Sequence, residues 1–88
     1  MVKLLYRHMR QEHALEEAAR VANELRVARD AAGRAEPDIL GPTPAFIPRI
    51  RGEFRYQVLM RGRNPSALLE SVRLGDHWHV DIDPASLV

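Results

Sequence analysis

Between Gln11 and Ala32 the chain reads QEHALEEAARVANELRVARDAA, a helical pattern whose apolar side is built largely of alanine. Leu15, Ala18, Ala22 and Leu25 recur at three- and four-residue spacing, with Ala14, Ala19, Val21 and Ala28 beside them, the repeat of a single helix face. Alanine favours the helix, and a face of such small side chains implies close packing against a sheet. Glu12, Glu16 and Glu17 come early and Arg26, Arg29 and Arg34 late, as the helix dipole prefers. Glu16 and Arg20 form an i,i+4 pair of favourable orientation, and Gly33 is the expected C-terminal cap.

The segments around this helix alternate like strands. Val2 to His8 places Val2, Leu4 and Tyr6 on one side and Lys3, Leu5 and Arg7 on the other. Asp38 to Leu40 begins a second strand, which Gly41 and Pro42 are expected to cut short before a connection running through Pro48 and Gly52. Glu53 to Arg61 is the clearest strand, with Phe54, Tyr56, Val58 and Met60 on one side and Arg55, Gln57, Leu59 and Arg61 on the other. Asn64 and Pro65 suit the cap and first position of a short helix carrying Ala67, Leu68, Leu69, Val72 and Leu74. His77 to Asp83 alternates Trp78, Val80 and Ile82 against His77, His79, Asp81 and Asp83, and Pro84 stops it. The order β-α-β-β-α-β predicts an α+β, ferredoxin-like plan. Its four-stranded antiparallel sheet carries two helices on one face.

At 88 residues the chain is one domain, residues 1–88, with one modest core. It has no apolar run near the roughly 20 residues of a membrane span and no secretory leader pattern, so the expected location is cytoplasmic. With no cysteine there is no disulfide framework and no thiolate metal site.

The formal net charge is only +1, yet residues 49–63 hold five arginines against the single acid Glu53, a local excess of +4. That concentration is a candidate polyanion footprint. In the expected sheet, Leu4, Phe54, Tyr56, Val58, Met60, Trp78, Val80 and Ile82 fit the face under the helices. Lys3, Arg7, Arg55, Gln57, Arg61 and His79 fall on the free face, where Asp81 relieves part of the repulsion. Phosphate contact by Lys and Arg follows from counterion release. The free face lacks the stacked aromatics of an RNA-recognition motif, so it is not expected to read base sequence.

Catalytic and metal chemistry have little to stand on. His77, His79, Asp81 and Asp83 share a strand side, but alternate strand residues lie roughly 6.5–7 Å apart, too far for four in a row to converge on one ion. Ser66 and Ser86 have no evident base, Glu16 and Glu17 read as a solvated patch, and there is no phosphate-binding loop. The chain is not expected to be an enzyme.

The stretch ILGPTPAFIPRIRGEFRYQVLMRG, residues 39–62, and the ending DIDPASLV, residues 81–88, resemble the C-terminal domain of the PriA family, the primosomal protein N′ replication-restart helicases. The family pattern is LGP-x-P-A, a basic pair around a glycine, a [YF]-R-[YW]-Q strand and a D-[VI]-D-P-x-S-L tail. Ile39 to Pro44, Arg49 to Gly52, Phe54 to Gln57 and Asp81 to Val88 follow it in order. The resemblance implies a fragment of a bacterial, nucleoid-associated protein whose complete form is an ATP-dependent 3′–5′ DNA helicase. ATP and zinc would belong to the parts outside this chain, and no cofactor is expected in it. The implied partners are forked or single-stranded DNA, the helicase core and the tail of single-stranded DNA-binding protein. Lys3, Arg7, Arg49, Arg51, Arg55, Gln57, Arg61 and Arg63 are then the candidate nucleic-acid contacts. The other reading is a structural docking module with no DNA affinity of its own. Two features depart from the family: the second helix is short, and Ala67 stands where an Arg is common. A complete tail pocket is therefore not expected from this chain alone.

Overall fold

A computed structural model describes residues 1–63 and 65–82, with residues 46–50 described by their backbone alone. The elements are β1 (Val2–His8), α1 (Gln11–Ala31), β2 (Asp38–Ile50), β3 (Glu53–Arg61), α2 (Pro65–Leu69) and β4 (Trp78–Ile82). The strands form one antiparallel sheet in the order β2-β3-β1-β4. Both helices lie on the same face, which is the α+β arrangement the strand and helix order predicts. Asn64 as a cap, and Asp83, Pro84 and the rest of the DIDPASLV tail, fall outside the described residues.

The core forms where the alanine face of α1 meets the centre of the sheet. Ala14, Ala18, Val21, Ala22 and Leu25 are fully buried against Leu4, Val58 and Met60. Four-residue spacing stacks Ala14, Ala18 and Ala22 into one narrow row, so the sheet supplies the bulk and the helix the clearance. Leu15, expected on this face, is 42 % exposed; it lies one helical step to the side of the alanine row. Arg20 pairs with Glu17 and Glu24 rather than with Glu16.

Gly33 ends α1 as its backbone freedom predicts. It has φ +69, its N–H donates to the Asp30 carbonyl at 3.0 Å, and the Arg34 N–H reaches back to Arg29 at 3.1 Å. This pair of bonds is a Schellman closure, satisfying carbonyls that the helix end would otherwise leave open.

Two expectations need correction. β2 does not stop at Gly41 but runs on through the prolines to Ile50, with shifts of register between Leu40 and Thr43 and between Pro44 and Arg49. Prolines are tolerated because β2 is an edge strand, where a missing N–H breaks no ladder on the solvent side. α1 helps hold this irregular strand: Arg26 donates to the carbonyls of Ile39 at 3.1 Å and Gly41 at 2.8 Å, and Arg29 to that of Pro37 at 3.3 Å. Second, Val80 and Ile82 lie on the helix side but are 40 % and 56 % exposed. α2 has only five residues; it puts Leu68 and Val72 into the core and ends before it covers β4.

Candidate nucleic-acid interface

Strand alternation puts Lys3, Leu5 and Arg7 of β1 on the uncovered face, with Arg55, Gln57, Leu59 and Arg61 of β3 beside them. The register sets Arg61 opposite Asp38, Leu59 between Leu40 and Lys3, Gln57 between Thr43 and Leu5, and Arg55 opposite Arg7. β4 adds Asp81 beside Lys3 and His79 beside Leu5.

The expected basic face is therefore not one patch. At one end each cation has an acid at hand. Lys3 Nζ is 4.0 Å from Asp81, Arg61 is in register with Asp38, and Arg63 Nε is 4.0 Å from Glu36. These exposed pairs contribute little to stability, but they cancel much of the local field. At the other end Arg7 and Arg55 stand opposite each other, and with Leu5 and His79 they line a depression of about 250 Å³. Glu53, two residues before Arg55 on the same side of β3, is the acid of that strand at this end. Leu5 is 8 % exposed, so the depression has an apolar floor and a cationic rim.

The β2–β3 hairpin tip lies at this same end. Ile50 pairs with Glu53, leaving Arg51 and Gly52 as the turn, with φ of 52 and 81. Positive φ at both central residues is the pattern of a type I′ hairpin turn, which selects Asn, Asp or Gly. Arginine in this left-handed position costs about 1 kcal/mol or more, and its side chain is exposed.

Of the eight candidate contacts, Arg7, Arg51 and Arg55 thus gather at one end, with Gln57 one row inward. Lys3 and Arg61 lie on the same face at the acid-paired end. Arg63 follows β3 in the open, 91 % exposed, and the Arg49 side chain lies outside the described residues. Leu5 as a floor and Asp38 and Glu36 as neutralising acids were missed, because only the strand register brings them to the arginines.

On the covered side of the same end, Tyr6 is ringed by aromatic groups: Trp78 at 5.0 Å between centroids, His13 at 6.1 Å, His8 at 6.3 Å and His77 at 6.4 Å. Trp78 Nε1 donates to Glu17 at 3.0 Å, and Arg20 binds the same carboxylate. The Arg20 hydrogen bond, with help from Trp78, holds the Glu17 carboxyl below its ordinary value despite partial burial. Burial, with the Glu17 charge adding to it, pushes the Tyr6 phenol up. Glu17 is thus a structural anchor between α1 and β4 rather than part of a solvated patch. Among the described residues no cluster of three His, Asp or Glu is arranged to hold a metal ion, and no helix is long and apolar enough to cross a membrane.

Over residues 2–85 the chain matches the family described as the primosomal protein N C-terminal domain. It is 35 % identical over 85 residues to the probable replication restart protein PriA of Deinococcus radiodurans, a match taking in 82 % of this chain and 9 % of that protein. The chain therefore spans about a tenth of the length of that curated relative.

Proposed function

The chain belongs to the family of primosomal protein N C-terminal domains, and from that premise we propose that it is a non-catalytic, DNA-contacting module of a replication-restart protein. Its role is to hold the sugar–phosphate backbone at forked or single-stranded DNA while the remainder of such a protein, the helicase core, does the chemistry. That core is the expected docking partner, with the tail of single-stranded DNA-binding protein as a further one. The observation that carries the reading is the opposition of Arg7 and Arg55 on the uncovered face, with Arg51 at the adjacent hairpin tip. Like charges directly opposite on neighbouring strands are destabilising, and a phosphate between them turns that repulsion into attraction. The uncovered strands carry no aromatic side chain on that face, which favours backbone contact over base reading.

Binding of a fluorescent forked oligonucleotide, followed from about 50 to 200 mM salt, tests this. Each phosphate contact contributes about one unit of log–log slope. Arg7→Ala with Arg55→Ala should lower the slope by about two units, and Lys3→Ala with Arg61→Ala by clearly less. Equal losses from the two pairs would remove the arginine end as the site. No affinity in the unsubstituted chain would leave the docking role alone.

A further inference from the structure

The two edges of the sheet are chemically unlike. β2 carries Pro42 and Pro44 and breaks its register twice, which blunts it against further pairing. β4, the other edge, is a regular five-residue strand, WHVDI, with no proline, and its helix-side residues Val80 and Ile82 are 40 % and 56 % exposed. Open backbone groups beside exposed apolar side chains form a template for another strand.

The sequence of β4 specifies which strand. Laid antiparallel against itself about Val80, it sets Val80 against Val80 and Trp78 against Ile82 on the helix side. On the uncovered side the same register sets His79 against Asp81, twice. Apolar meets apolar and cation-forming imidazole meets carboxylate at every position of the described strand. A shift of one residue would place polar groups against apolar ones. We propose that β4 is a self-recognition edge, through which two copies of this chain join into one eight-stranded sheet of order β2-β3-β1-β4-β4-β1-β3-β2. The two-fold axis passes through Val80 perpendicular to the sheet, the isologous geometry of a closed dimer. Lys3, 4.0 Å from Asp81, is the other charged group facing the pair, and it leaves that carboxylate able to accept from His79 of the second copy. The axis keeps both uncovered faces on the same side, with the two Arg7–Arg55 ends pointing in opposite directions. An edge of five residues gives a contact at the small end of specific interfaces, so the association is concentration-dependent.

Sedimentation equilibrium of the 88-residue chain from micromolar to near-millimolar concentration reads this directly. The mass should rise from 10.0 kDa toward twice that value and no further. His79→Asp sets like charges opposite each other and should keep the chain monomeric. The exchange His79→Asp with Asp81→His restores opposite pairs and should restore the dimer, an outcome that general damage to β4 would not produce. Circular dichroism confirms that each variant is folded. A wild-type chain that stays at 10.0 kDa throughout, or grows past twice that mass, overturns the proposal. So does a His79→Asp variant that associates as wild type does, or a folded exchange variant that remains monomeric.

Discussion

Arg7 of β1 and Arg55 of β3 are register partners on the uncovered face of the sheet, beside the buried Leu5 and next to His79. Two guanidinium groups in directly opposed positions work against folding. Arg7→Glu should therefore stabilise the domain by about 0.2–1 kcal/mol while lowering DNA affinity. Urea denaturation and oligonucleotide titration of the same preparation measure the two effects. A variant losing both stability and affinity would point to a structural role for Arg7.

Arg51 poses the same opposition in the backbone. Arg51→Asn gives Asn-Gly, the favoured type I′ dipeptide, at a position where φ is already 52. The variant should gain about 0.5–1 kcal/mol in thermal or urea denaturation and bind forked DNA more weakly. Unchanged affinity would show that the hairpin tip stays clear of the DNA.

Arg26 should matter more to stability than any cation of the uncovered face. Its guanidinium serves the Ile39 and Gly41 carbonyls together, at 3.1 and 2.8 Å. Arg26→Ala should cost about 1.5–3 kcal/mol, the range for hydrogen bonds to a charged group. Arg26→Lys should fall between, because an ammonium lacks the planar fork. DNA affinity at a temperature where the variants are folded should be unchanged.

Glu17 makes stability depend on acidity. Its folded pKa lies below the ordinary 4.5, chiefly through the Arg20 hydrogen bond. In that window the unfolded chain binds the proton more readily, so stability rises with pH. The contribution is complete above 4.5 and is lost as pH falls through the lowered folded value. Glu17→Gln should flatten the pH dependence of the urea midpoint below about pH 5, and Trp78 fluorescence reports the transition. A variant with the wild-type slope would remove Glu17 as its source.

Gly41 and Gly33 both have positive φ but differ in surroundings. A Cβ at Gly41 would lie 2.7 Å from the Gln57 carbonyl oxygen and 3.4 Å from the Val58 Cα, whereas one at Gly33 meets nothing within 4 Å. Gly33→Ala should cost about 1 kcal/mol, the left-handed penalty alone. Gly41→Ala should cost at least about 3 kcal/mol, because strain and a backbone clash add. Equal losses in urea denaturation would refute the contact between β2 and β3.

The element order was legible because each segment carries a clean period. The three-four spacing of α1 and the alternation of β3 are visible in one dimension, and the register between β1 and β3 follows once they are neighbours. β2 was not legible past Gly41, since what continues it is an edge position and two arginines contributed by α1. The free-face assignment of Lys3, Arg7, Arg55, Gln57 and Arg61 agrees with the register. The division of that face into a neutralised end and a cationic end was hidden, because Asp38 and Glu36 reach Arg61 and Arg63 only through the fold. The burial expected of Val80 and Ile82 failed for a similar reason: alternation assigns a side of the sheet, while cover depends on how far α2 extends.

The prolines of β2 have a consequence for how this sheet can grow. Polymerisation through strand edges needs two reactive ends on every unit, and this unit has one. A copy added at β4 presents its own β2 at the outer boundary, with Pro42 and Pro44 in place of donors. Growth therefore terminates after a single addition, and a strand that would be a fibre-forming hazard in a two-ended sheet is limited here to a finite assembly.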